Sequence, residues 1–192
     1  MDALFSPKDK SHFRRIVKKY SYIFLALYVP IYLAAFFWVE SYVTTDYWVS
    51  YLPIDSMIPF LEGFVIAYYS WYPFMVVTGV YLLFKDVPAF KRYMWFIIIS
   101  FSLSIIIFAL FPNGQDLRPV AFERDNLCTK LVQAIYSVDT NTNVLPSVHV
   151  IGSLAVVFAF FDSKALKGKL LRSLSLIVAV LISMSTVFIK QH

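Results

Sequence analysis

The chain has 192 residues, of which 59% are hydrophobic, 19% aromatic and only 15% charged, where an ordinary soluble domain is about one-quarter charged. So much apolar surface in so short a chain cannot be buried in one aqueous core, which excludes disorder, a secreted disulfide scaffold and most soluble enzymes. Seventeen Lys and Arg outnumber twelve Asp and Glu, and the single cysteine, Cys128, excludes an internal disulfide and a cysteine-based metal site.

Residues 1–20 are a basic segment. Its Lys8, Lys10, Arg14, Arg15, Lys18 and Lys19 read as a topogenic, headgroup-binding stretch on the cytoplasmic membrane surface, not a nucleic-acid site. His12 reads as solvated. From residue 21 to 192 the chain reads as one integral membrane domain, and its first apolar run is span-length with no small-residue cleavage site after it.

A spanning helix needs about 20 apolar residues, because backbone groups cannot stay unpaired in hydrocarbon. Ser21–Val39, Gly63–Phe84 and Tyr93–Phe111 meet that length; Ser147–Phe161 is shorter and carries His149 near its start, and Ser173–Ile189 is the fifth. The expectation is an all-α polytopic bundle with Pro30 and Pro73 kinking two of the spans. The segment Ser41–Leu61, with Pro53 and Pro59, has room for a short interfacial helix. In the segment Pro112–Pro146, Leu127, Leu131, Ala134, Ile135 and Val138 recur at helical spacing, so Asn126–Val138 reads as an amphipathic surface helix, a lid or brace.

Charge sets the orientation. With the N-terminus inside, thirteen of the seventeen basic residues face the cytoplasm, and Glu40–Glu62 outside holds four acids and no Lys or Arg. This predicts a multi-pass protein of the cell membrane.

Three polar groups interrupt the apolar pattern, and that orientation puts all of them on the outer face. They are Arg118-Pro119, Pro146-Ser147-Val148-His149, and the stretch from Ser185-Thr186 to Lys190-Gln191-His192. Pro146 suits the first position of a helix, whose opening turn then offers free amides and a positive dipole end to an anion. His149 in that turn is placed as a general acid toward a phosphate ester; the alternative is an interfacial histidine in an ordinary polar cap. Arg118, His149 and His192 together suit phosphoryl transfer, as charge clamp, acid and nucleophile. Lys190 alone reads equally as a snorkelling anchor. Glu62 and Asp55 read as loop or interface residues.

These residues resemble the type 2 phosphatidic acid phosphatase superfamily, which includes lipid phosphatases and inositol phosphorylceramide synthases. Its second motif, Pro-Ser-Gly-His or Pro-Ser-Leu-His, matches Pro146 to His149, with Asn143 three residues upstream. The Arg-Pro of its first motif matches Arg118-Pro119, and its third motif, Ser-Arg-x5-His-x3-Asp, matches at Ser185 and His192. The resemblance implies a six-helix fold, five of whose helices are present here, and a metal-independent, cofactor-free reaction through a phosphohistidine. His192 is then the nucleophile and His149 the acid. Arg118 and Ser147, with Lys190 and Ser185 of the third-motif region, bind the phosphate of a lipid phosphate or polyprenyl pyrophosphate. The pattern is departed from at Phe111, where the family has a Lys, and at Thr186, where it has an Arg. The motif's Asp would fall four positions after His192, so the resemblance implies truncation within the third motif and little or no turnover by the chain as it stands.

Two alternatives stay open: a lipid phosphotransferase that passes the phosphoryl group to an alcohol, and a non-catalytic scaffold of the same fold. Two histidines without a nearby carboxylate or thiol fall short of a metal-ligand set. The oligomeric state is not read from the sequence.

Overall fold

The computed structural model describes residues 20–43 and 46–191. The basic segment 1–19 and His192 therefore lie outside the described residues. The first span begins as 3-10 turns, Ser21–Leu27, and continues as α1, Tyr28–Tyr42. Pro30 lacks the N–H that would bond the Ala26 carbonyl, and α-geometry begins only at Tyr28. Next come α2 (Val65–Lys85), α3 (Val87–Leu110), α4 (Leu127–Val138), α5 (Val148–Asp162) and α6 (Lys169–Phe188). Pro73 lies inside α2, which continues through it.

The fold is the all-α bundle expected. Four helical segments, Ser21–Tyr42, Glu62–Lys85, Val87–Leu110 and Lys169–Phe188, are long and apolar enough to cross a membrane, in keeping with a multi-pass membrane protein. The fourth expected span, α5, has only 15 residues, about 22 Å of helix against a hydrocarbon core of about 30 Å. It packs centrally, against α2, α3 and α6. Helix α3 starts earlier than the apolar run suggests, because Asp86 caps it, accepting from the Ala89 N–H at 3.1 Å, and Pro88 fits its first turn.

The core is rich in aromatic residues. Tyr32 of α1 meets Phe101 of α3 at 4.8 Å between ring centres, Tyr28 bonds Ser102 at 2.9 Å, and Tyr93 of α3 donates to the Met75 carbonyl of α2. Gly152 lets α5 approach α2: a Cβ there would meet the Trp71 ring at 2.8 Å. Large apolar side chains such as Trp38, Phe84 and Leu170 are left exposed on the outside, as a lipid-facing surface requires.

At one end of the bundle three connecting segments are woven together. The strands β1 (Trp48–Val49) and β2 (Asn113–Gly114) pair in parallel, and Gly114 bridges to Thr142. The close approach depends on Gly114, since a Cβ would come within 2.6 Å of the Tyr47 ring and 2.9 Å of the Asn141 carbonyl. Asn113 then organises the turn before α5: its Nδ2 donates to the Leu145 carbonyl and its Oδ1 accepts from the Leu145 N–H, both at 2.8 Å. The segment 53–56 forms a 3-10 turn, and α4 is the amphipathic helix the spacing predicts, capped by Asn126 on the Thr129 N–H.

Candidate functional site

The woven end also gathers the polar groups singled out in the sequence. Arg118 lies in the segment between β2 and α4. Its Nη2 donates to the carbonyls of Asp139 (2.9 Å) and Thr140 (2.6 Å) and to Gln191 Oε1 (2.8 Å). Its guanidinium also lies 4.2 Å from the centre of the Tyr136 ring, a cation–π arrangement. Tyr136 in turn donates its hydroxyl to the Ile189 carbonyl. Arg118 thus joins the end of α4 to the residues after α6.

His149 occupies the first turn of α5 and is buried. Two aromatic rings of α2 pack against its imidazole. Tyr68 is 4.3 Å away between ring centres with a 34° tilt, and Trp71 is 4.6 Å away with a 48° tilt. The Tyr68 hydroxyl donates to Asp139 Oδ2 at 3.1 Å. Tyr68 and Asp139 therefore connect His149 to Arg118, although the two lie 31 positions apart in the sequence.

A second carboxylate stands behind them. Glu40, buried at the end of α1, accepts from the Thr140 N–H and hydroxyl at 2.7 and 2.6 Å. Burial, reinforced by Glu40, pushes the Asp139 carboxyl up to about 6. Burial lowers Arg118 below its ordinary value, and Tyr136 and Asp139 counter it.

The remaining expected site residues divide. Ser147 caps α5, its hydroxyl accepting from the Val150 N–H at 3.5 Å. Ser185 is fully buried and returns its hydroxyl to the Ile182 carbonyl of its own helix. Lys190 sends its ammonium to the carbonyls of Asp55 (2.9 Å) and Ile58 (2.8 Å), and its own carbonyl accepts from Gln115 Nε2 at 2.6 Å. These contacts tie the first connecting segment to the end of α6. Of the loop carboxylates, Asp55 accepts from the Leu52 N–H, and Glu62 pairs with Arg124 and Asn126. His192 lies outside the described residues.

Several buried polar atoms here have no hydrogen-bond partner among the described residues: Arg118 Nε, both amide atoms of Asn143, Trp71 Nε1 and Ser153 Oγ. Asn143 also adopts a left-handed φ of 58°, which Asn tolerates better than most residues. Native proteins pair such groups with protein, water or ligand. Beside them an apolar groove of about 490 Å³ runs between α5 and α6, lined by Val150, Ser153, Leu154, Ala179, Ser183 and Val187 among others. Among the described residues no group of three or more His, Cys, Asp or Glu is placed to hold a metal ion.

The sequence does not single out Tyr68, Trp71, Asp139 or Glu40 for this site, and Gln191 enters only as part of the polar stretch Lys190-Gln191-His192. Asp139 carried a faint signal, as an acid opening the polar run Asp139–Asn143 directly before Pro146. The aromatic pair on α2 carried none, being two of many aromatic residues in an apolar span.

No protein-family model matches the chain, and neither a curated protein nor a solved structure shows significant similarity to it.

Proposed function

We propose that this chain binds a lipid phosphate or polyprenyl pyrophosphate at its Arg118 end and serves phosphoryl transfer there as a membrane lipid phosphatase. The observation that carries the reading is the meeting of Arg118 and His149 through Tyr68 and Asp139. In this reading Arg118 Nε and the Asn143 amide, both without protein partners, take phosphate oxygens. Free amides at the start of α5 add to the hold. His149 protonates the leaving oxygen, and His192 is the nucleophile. The apolar groove between α5 and α6 receives the hydrocarbon chain. Lys190 and Ser185 act as braces, since their polar atoms are engaged by backbone carbonyls.

The three acceptors around Arg118 Nη2 favour a second reading, a scaffold in which Arg118 only holds the fold. The two readings separate in membranes incubated with a labelled lipid phosphate, alongside binding of its non-hydrolysable phosphonate to the purified chain. Label released as inorganic phosphate supports the phosphatase, and label in a new lipid supports transfer to an alcohol. Neither binding nor turnover leaves the scaffold.

The charge asymmetry of the sequence supports a cytoplasmic N-terminus and an outward-facing site in the cell membrane. Cys128, a free and half-buried thiol in the first turn of α4, reports it. A small membrane-impermeant maleimide is expected to label it in intact cells; labelling only after permeabilisation would invert the orientation.

A further inference from the structure

We propose that Tyr68 and Trp71 form an aromatic clamp, seated on Gly152, that positions the His149 imidazole and stabilises its protonated form; this rests on the phosphate-binding reading above. The two rings sit three residues apart on α2 and so project from one face, and both contact the imidazole, at 4.3 and 4.6 Å between ring centres. A cation within about 6 Å of an aromatic ring centre is attracted by the electron-rich face. The start of α5 acts in the opposite sense, because the positive end of a helix dipole disfavours a cation. The clamp offsets that effect and leaves the imidazolium available to an incoming phosphate.

Each ring is held independently. Tyr68 is 1% exposed, and its hydroxyl is anchored on Asp139 Oδ2 at 3.1 Å. Donation to a carboxylate also enriches the phenol ring in electrons, which strengthens its attraction for a cation. Trp71 reaches His149 only because residue 152 has no side chain: an added Cβ would stand 2.8 Å from its Cζ2 and Nε1. His149 and Gly152 are one helical turn apart on α5, so the residue that is clamped and the residue that admits the clamp share a face.

Other titratable groups surround the site. From α1 they are Tyr32 and Glu40, from α2 Tyr68, Tyr69 and Tyr72, from α4 and its end Tyr136 and Asp139, and from the segment before α4 Arg118. Beyond α6, Lys190 is turned to the Asp55 and Ile58 carbonyls. Helix α3 brings none at this end: its Lys91, Arg92 and Tyr93 lie in its opening turns at the opposite end.

The test uses the purified full chain and a short-chain lipid phosphonate, with affinity followed from pH 5 to 9. Trp71→Leu is expected to weaken binding at pH 7 roughly five- to tenfold, the effect of losing about 1 kcal/mol, and to move the fall in affinity to lower pH. Trp71→Phe restores affinity to within about twofold. Gly152→Ala, which leaves both rings intact but displaces Trp71, should behave like Trp71→Leu. Proton NMR supplies a readout independent of ligand: the His149 ring signals are shielded by two flanking rings in the parent, and that shielding drops in Trp71→Leu and Gly152→Ala. Unchanged shielding, or an unchanged pH profile in folded Trp71→Leu and Gly152→Ala, overturns the clamp while leaving the phosphate-binding reading intact. A His149→Ala chain that binds the phosphonate like the parent overturns that reading, and the clamp's purpose with it.

Discussion

At the Asp86 end of the bundle a compact set of polar contacts closes on itself, whereas the Arg118 end leaves buried polar atoms open. Asp86 caps α3, accepts from the Ser163 hydroxyl at 2.8 Å and from the Lys164 N–H at 2.9 Å. The Ser163 bond leads the effects that hold its carboxyl below the ordinary range. Arg92 pairs with Asp162 at 2.7 Å, and Arg172 donates to the last carbonyls of α5. Among the described residues, no buried side-chain polar atom lacking a partner belongs to this cluster; those of Arg118, Asn143, Trp71 and Ser153 lie toward the other end. A network that leaves no buried side-chain polar atom without a partner among the described residues explains itself as a staple. One with open donors beside a buried histidine and a half-buried arginine leaves polar groups that native proteins pair with protein, water or ligand.

Substitutions can break or sharpen that contrast. The largest effect is expected from Arg118→Ala, which should reduce lipid-phosphonate affinity or phosphate release about 10²- to 10³-fold, the size of losing a preorganised donor. Asp86→Ala should instead lower thermal stability, by about 1–2 kcal/mol for the lost cap and hydrogen bonds, with affinity per folded molecule unchanged. Equal losses of affinity in both variants would erase the distinction between the two ends.

Asp139 gives a pH-dependent version of the same contrast. Folded, its carboxyl is pushed up to about 6 from an ordinary value of 3.8. The folded chain therefore holds that proton more tightly than the unfolded one. This contribution is full below about pH 4 and is lost as pH rises through about 6, by at most about 3 kcal/mol. Asp139→Asn removes the ionisation, so unfolding curves at pH 4 and pH 7.5 should differ less in the variant than in the parent. A parent whose stability rises steadily across that interval, with the variant parallel to it, would contradict the burial of Asp139.

The smallest effect is expected at Asn143. Glycine accepts the left-handed φ of 58° without a side-chain penalty, and Asn143→Gly removes an amide that makes no hydrogen bond in the protein. Stability should change by less than about 1 kcal/mol, while affinity for the phosphonate falls about tenfold, as loss of one hydrogen bond to a charged group allows. Stability lost in step with affinity would make Asn143 a structural residue like Asp86.

The architecture was legible because lipid demands long uninterrupted apolar runs, and the sequence carries three of full length and two shorter ones. The role of α5 was not, since 15 apolar residues fit a short span and a buried central helix equally well. Arg118 and His149 were legible because isolated polar groups in so apolar a chain call for a reason. Tyr68 and Asp139, which link the two, acquire their meaning only from tertiary packing. Lys190 was ambiguous for a related reason: a lone ammonium past the end of a span satisfies its donors with phosphate or with carbonyls alike, and here Asp55 and Ile58 provide the carbonyls.

That Lys190 tie also bears on the order in which the chain assembles. Its two hydrogen bonds join positions 135 and 132 residues apart, and Gln191 reaches Arg118 across 73. Closing such long loops is entropically the most demanding part of folding and comes after local helix formation. Inserted helices that still lack α6 cannot seat Arg118 on Gln191 or make the Lys190 bonds to the 53–61 segment, so these contacts form late, when α6 docks.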